Sequence, residues 1–172
     1  MPKNNIFFLI GFMGSGKSYF GNKISKKLNY TFVDLDTYIE TESMMFISDI
    51  FARFGEQEFR RIEAECLRKV SENQNKIIVS CGGGTPFYES NWEWMQERGH
   101  TIFLKQSIEV LFQRLKKQKN KRPLIKSLDD TQLLEFVKSK LSERETLYSK
   151  ATVTLEDISV SKLLEIISNL KA

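Results

Sequence analysis

The chain has 172 residues, the length of one ordinary globular domain, and its 41% hydrophobic and 28% charged residues exclude a disordered or fibrous protein. A net charge of +4, from 26 Lys+Arg against 22 Asp+Glu, is a small excess that suits anionic small molecules without marking a nucleic-acid binder. Two cysteines without metal-like spacing and the single His100 exclude a disulfide framework, a zinc site and any His-based triad.

The apolar run Ile6–Ile10 after Lys3 is too brief for a signal peptide and leads straight into a glycine-rich motif, so it reads as a buried strand. Lys17–Leu28 follows as a helix, with Phe20, Ile24 and Leu28 at helical spacing. Thr31-Phe32-Val33 is a second strand. Glu56–Ser71 is helical, its stripe of Phe59, Ile62, Cys66, Leu67 and Val70 making Cys66 a core residue. Lys76–Ser80 is the third strand, Asn91–Arg98 a helix, and Thr101–Leu104 the fourth strand, with His100 a structural residue at its start. Helices Ile108–Lys117 and Leu133–Leu147, strand Ala151–Leu155 and helix Val160–Leu170 complete the chain. Strands alternating with helices predict a single α/β domain over residues 1–172, a three-layer sandwich with a five-stranded parallel sheet and helices on both faces. No stretch approaches the length of a membrane span. The expectation is a cytoplasmic monomer with neither nucleic acid nor membrane as partner.

Gly11-Phe12-Met13-Gly14-Ser15-Gly16-Lys17-Ser18 matches G-x-x-x-x-G-K-[ST] throughout. Chance would produce this match in such a chain on the order of one per cent of the time. Backbone N–H groups of the loop and the N-terminal end of the next helix would cradle phosphates. Lys17 would reach the β- and γ-phosphates of ATP, and Ser18 would ligate Mg²⁺. Gly11, Met13, Gly14, Ser15, Gly16, Lys17, Ser18 and Tyr19 are therefore expected around the nucleotide.

Ligands of open parallel sheets bind outside the carboxyl ends of the strands. The P-loop, Asp34-Leu35-Asp36 and Gly82-Gly83-Gly84 follow the first, second and third strands, so all three fall on that edge. Asp34 and Asp36 point the same way if the chain is extended, one serving Mg²⁺ and the other a substrate hydroxyl; either could instead cap the next helix. The glycine triplet would let a ligand lie directly on the backbone. Arg60 can pair with Glu56 or Glu63 on its own helix, and Arg61 with Glu65, or Arg60 can be aimed by Glu63 at a carboxylate; spacing does not decide. The basic stretch around Lys116–Asp130, with Arg122-Pro123, is either a solvated loop or a mobile lid that brings an arginine to the phosphoryl group.

Gly11–Ser18, Asp34-Leu35-Asp36, Phe51 with Gly55-Glu56-Gln57-Glu58-Phe59-Arg60-Arg61-Ile62-Glu63, Gly82–Gly84, Arg122-Pro123-Leu124, and Arg144 ahead of Leu147-Tyr148 together resemble the shikimate kinase family over nearly the whole chain. The resemblance implies a P-loop NTPase-type fold with a mobile lid over residues of about 116–130 and an acceptor-binding helical segment of about 37–65. It implies transfer of the γ-phosphoryl of ATP to the 3-hydroxyl of shikimate, giving ADP and 3-phosphoshikimate on the chorismate route to aromatic amino acids, with Mg²⁺ as the metal.

By matching position, Asp36 would bind the shikimate hydroxyls near the attacked one, and Asp34 would sit by Mg²⁺ with Ser18. Arg60 and Arg144 would hold the carboxylate, Gly82, Gly83 and Gly84 would line the ring, and Phe51 and Phe59 would pack beside it. Lys17, Asp36 and Arg122 would be the catalytic residues, Arg122 as the lid arginine on ATP. The family often carries an adenine-stacking arginine on the lid-side helix; the nearest candidates are Arg114, Leu115 and Lys116, with Arg114 expected on ATP. Thr85-Pro86-Phe87 differ from the family's commoner small-plus-valine sequence. Another P-loop small-molecule kinase, such as a gluconate kinase, is the alternative. A GTP switch is excluded, because Asn75-Lys76 and Asn120-Lys121 both lack the aspartate of a guanine reader.

Overall fold

Ile6, Phe8 and Ile10 join one apolar cluster, Phe7 and Leu9 join another, and all five are fully buried. Such a strand fits only the middle of a sheet covered on both faces. The computed structural model, which describes residues 5–72, 75–119 and 122–171, has this arrangement. Its elements are β1 (Ile6–Ile10), α1 (Lys17–Leu28), β2 (Thr31–Asp34), α2 (Leu35–Ser43), α3 (Ile47–Ser71), β3 (Ile77–Ser80), α4 (Asn91–Arg98), β4 (His100–Leu104), α5 (Ile108–Gln118), α6 (Asp130–Tyr148), β5 (Val153–Leu155) and α7 (Val160–Leu170). One-turn 3-10 segments lie at Thr85–Phe87 and Pro123–Ile125.

The five strands are parallel, in the order β2-β3-β1-β4-β5. On one face Phe7, Leu9, Ile78 and Ile102 pack against Ile24 of α1 and Leu163 and Ile167 of α7. On the other, Phe8, Val79 and Phe103 meet Leu35 and Ile39 of α2, Phe59 and Leu67 of α3, Met95 of α4 and Tyr148 of α6. Cys66 lies in this second cluster, as its helical spacing required. A third cluster, outside the sheet, joins Phe12 of the P-loop to Leu111 and Leu115 of α5, Ile125, and Leu133 and Val137 of α6. Among the described residues no helix is long and apolar enough to cross a membrane.

Two elements depart from the sequence reading. The helix expected from Glu56 begins at Ile47 and is broken at Gly55, whose φ is 82°. Residues before the break carry Phe51, and those after it carry Arg60. Helix α2 was not anticipated as an element of its own, because only Leu35 and Ile39 of its nine residues are buried and two positions make no periodic stripe.

Candidate active site

The chain leaves β1 at Ile10 and re-enters helix at Lys17. Gly16 (φ 99°) occupies the left-handed region at the N-cap of α1 and offers no side chain to cap it. A residue with a Cβ is strained there, whereas glycine leaves the first N–H groups of the helix open to an anion. Lys17 Nζ folds back over the loop and donates to Gly11 O (2.8 Å) and Phe12 O (3.0 Å). Burial pushes its pKa down to about 8, against the pull of Asp36.

Asp34 ends β2 and caps α2, accepting from Thr37 N at 3.4 Å. The same carboxylate accepts from the Ser18 hydroxyl, and Ser80 Oγ lies 3.2 Å from Ser18 Oγ. The expectation that Asp34 and Asp36 point the same way along an extended chain is wrong: helix begins at Leu35, so Asp36 sits in the first turn of α2. Both nevertheless line one cleft. Its enclosing walls, and after them the Asp34 and Glu63 carboxylates, push the pKa of Asp36 up to about 6.

The glycine triplet follows β3, and each glycine faces a different functional side chain. A Cβ on Gly82 would lie 3.2 Å from Asp36 Oδ1, one on Gly83 would lie 3.1 Å from Arg144 Nη1, and one on Gly84 would lie 2.7 Å from Arg60 Nη2. The absence of side chains thus lets two guanidinium groups and a carboxylate converge on nine backbone atoms' length of chain. Arg60 is held at 2.8 Å by Glu63 and at 3.1 Å by Glu56, and its guanidinium lies 4.2 Å from the Tyr88 ring and 5.0 Å from the Phe59 ring. Pairing on the helix and presentation toward the triplet are therefore compatible. Phe51 and Phe59 meet across the Gly55 break with ring centroids 4.5 Å apart. Tyr148 donates its hydroxyl to Gly83 O, and Arg144 lies 5.8 Å from both Phe12 and Phe87.

The cleft measures about 480 Å³. It brings Met13, Gly14, Gly16, Lys17, Ser18 and Tyr19 together with Asp34, Asp36, Gly82 and Gly83, and with Arg114 of α5 and Arg122 of the segment after it. Gly11 and Ser15 are buried beneath the phosphate loop. Phe51, Phe59, Arg60, Gly84 and Arg144 stand outside the cleft lining; Arg60 and Arg144 reach it through the triplet, and Phe59 with Phe51 packs behind Arg60. The candidates on α5 separate by register. Leu115 is buried in the third cluster and Lys116 pairs with Asp130 at 2.5 Å, while Arg114 Nη1 donates to Gly14 O at 2.9 Å.

Arg122 donates to Gln118 at 3.3 Å; burial holds its pKa below the usual arginine value, with Asp36 pulling the other way. The segment around it is not a wholly solvated loop, because Ile125 is fully buried while Leu124 is 74% exposed. Asn120 and Lys121 of the expected lid lie outside the described residues. Ser80, Cys81 and Gln118 also line the cleft and were not anticipated. Ser80 and Cys81 immediately precede the triplet, which is the signal that could have found them; Gln118 carries none.

The chain is similar to known proteins along most of its length. The family model described as shikimate kinase matches residues 13–171. The shikimate kinase of Azobacteroides pseudotrichonymphae is 40% identical over 160 residues, covering 92% of this chain and 94% of that protein. That of Parabacteroides distasonis is 39% identical over 149 residues, covering 87% and 86%. Among solved structures, shikimate kinase from Bacteroides thetaiotaomicron superposes with a TM-score of 0.88 at 34% identity, covering 95% of this chain and 98% of that one. Shikimate kinase from Acinetobacter baumannii in complex with shikimate gives 0.84 at 29% identity, covering 96% and 94%. With sheet order, phosphate loop and triplet in hand, these matches along almost its full length establish that the chain belongs to the shikimate kinase family.

Proposed function

We propose that the chain transfers the γ-phosphoryl group of ATP to the 3-hydroxyl of shikimate, giving ADP and 3-phosphoshikimate. The observation that carries this reading is the triplet, which faces a carboxylate at one end and two arginines at the other, directly beside a phosphate loop. Shikimate has one carboxylate and three hydroxyls, and such a surface meets both needs. The Acinetobacter baumannii relative, solved with shikimate, supports the same assignment.

In this mechanism the N–H groups at the start of α1 and the Lys17 ammonium hold the β- and γ-phosphates and offset the charge that develops on them. Arg122 adds positive charge from the lid side. Arg60 and Arg144 fix the acceptor by its carboxylate, and Asp36 holds the acceptor hydroxyl and can receive its proton as the new P–O bond forms. Arg114, which donates to the loop carbonyl of Gly14, would meet the nucleotide base.

Ser18, Asp34 and Ser80 present only oxygen donors at the phosphate end. Among the described residues no three His, Cys, Asp or Glu side chains could hold an ion by themselves. Such a set fits Mg²⁺, which keeps its waters and shares phosphate oxygens instead of filling a protein cage. Ser18 would hold it with Asp34 behind, and when bound it supplies charge to the β- and γ-phosphates.

A coupled assay of ADP release with ATP, Mg²⁺ and a panel of acceptors tests the assignment. Turnover is expected with shikimate and not with gluconate or a nucleoside monophosphate; the reverse result would overturn it. Arg60→Ala is expected to raise the shikimate KM by about tenfold to a hundredfold, the worth of hydrogen bonds to a charged group, with the ATP KM little changed. An unchanged shikimate KM would remove Arg60 from the clamp.

A further inference from the structure

Thr85 opens the short turn after the glycine triplet and is fully buried. Its amide donates to Gly82 O at 3.1 Å, and its carbonyl accepts from Asn91 Nδ2 at 2.9 Å. Asn91 is itself buried and anchored by Arg68, whose Nη1 donates to Asn91 Oδ1 at 3.0 Å. The backbone of Thr85 is therefore fixed from both sides, and its hydroxyl donates in the buried space beside α3. It meets Glu63 Oε1 at 2.6 Å. The other oxygen of that carboxylate, Oε2, accepts from Arg60 Nη1 at 2.8 Å.

Glu63 is 1% exposed. A carboxylate so deeply placed keeps a fixed orientation only when both its oxygens are satisfied. Arg60 satisfies one and Thr85 the other. Arg60 in turn lies against Gly84, one residue before Thr85 in the chain. The circuit from Thr85 through Glu63 and Arg60 back to Gly84 ties α3 to the turn on which the acceptor would rest.

We propose that Thr85 is a positioning residue for the acceptor carboxylate: its hydroxyl holds one oxygen of Glu63 so that the other keeps Arg60 in place against Gly84. This rests on Arg60 being the carboxylate clamp. Loss of the hydroxyl leaves a buried oxygen unpaired, so the carboxylate turns and its hold on Arg60 slackens. Affinity for the acceptor falls, while the phosphate loop, which shares none of these bonds, is untouched.

The test is steady-state kinetics of the full chain carrying Thr85→Val, which replaces the hydroxyl by a methyl, and Thr85→Ser, which keeps it. The valine variant is expected to raise the shikimate KM by about tenfold, with the ATP KM and kcat within about twofold of the parent. The serine variant is expected to stay within about twofold of the parent in all three. In an Arg60→Ala background, Thr85→Val should add almost nothing to the shikimate KM, because it acts through the missing arginine; a role in packing alone would give additive effects. A normal shikimate KM in the valine variant, an equal rise in the serine variant, or additivity with Arg60→Ala would each overturn the proposal. If the valine variant fails to fold, Thr85→Ala is measured in its place against the same serine control. A parent enzyme without shikimate-dependent ADP release would instead overturn the assigned reaction, and that failure is visible before any variant is made.

Discussion

Lys17→Met is expected to lower kcat on the order of a thousandfold, with the circular dichroism spectrum of the parent retained, in a single-turnover assay of ADP formation. The lysine is the one side-chain cation buried within the phosphate loop. Its ammonium is held by two loop carbonyls, 2.8 and 3.0 Å away, so it stands ready at the mouth of α1 and needs little reorganisation to meet a phosphate. Burial has already lowered its pKa to about 8, which means the fold tolerates this charge at a cost. A methionine fills similar space without the charge, so the transferring group loses its nearest compensating cation while the surrounding packing is kept. Normal turnover in this variant would remove the lysine from the chemistry.

Asp36→Asn should lower kcat by about a hundredfold to ten-thousandfold, the usual range for loss of a positioned proton acceptor. The pH dependence follows from the direction of its shift. An acid whose folded pKa is raised binds its proton more tightly in the folded state. As pH climbs from the ordinary value of 3.8 through about 6, that preference is lost and the ionised group weighs against the fold. The asparagine variant is therefore expected to melt no lower than the parent at pH 7.5, by an amount that solvent in the cleft keeps modest.

The active parent needs the ionised form. Its kcat/KM for shikimate should fall below pH of about 6, where Asp36 becomes protonated. Its kcat/KM for ATP should fall above pH of about 8 as Lys17 loses its proton. A flat acid limb in the parent, or one that persists in the asparagine variant, would show that Asp36 is not the titrating group.

The strands could be read before the structure was known because β1 is apolar on both sides, and the phosphate loop because its spacing is rare. Position 114 was not decidable from register: it lies i+3 from buried Leu111 and next to buried Leu115, at the border of the core face, where the structure leaves it half-buried. The acceptor end was harder. Adjacent arginines 60 and 61 look alike in sequence, yet the Arg60 side chain is 12% exposed and faces the triplet, while Arg61 is 52% exposed and spent on Glu58 and Glu65. Both have acidic partners at helical spacing; what separates them is that Arg60 shares the buried face of Glu63 and Leu67, and Arg61 does not. Asp36 was picked out from the wrong geometry, since the helix that begins at Leu35 has too few buried residues to announce itself. The Ser18–Ser80 approach joins residues 62 positions apart and has no local trace.

Because all five strands run the same way, the phosphate loop, Asp34 and the glycine triplet, which follow or end β1, β2 and β3, gather on one rim of the sheet. The opposite rim holds the connections that feed the strands, such as Asn29-Tyr30 between α1 and β2 and Ser149–Thr152 between α6 and β5. Peptides or fluorophores grafted onto those bends would stand away from the cleft, at the far end of the strands. Gly99 is the exception there, since even a methyl at that corner would collide with Ile6 O, 2.3 Å away.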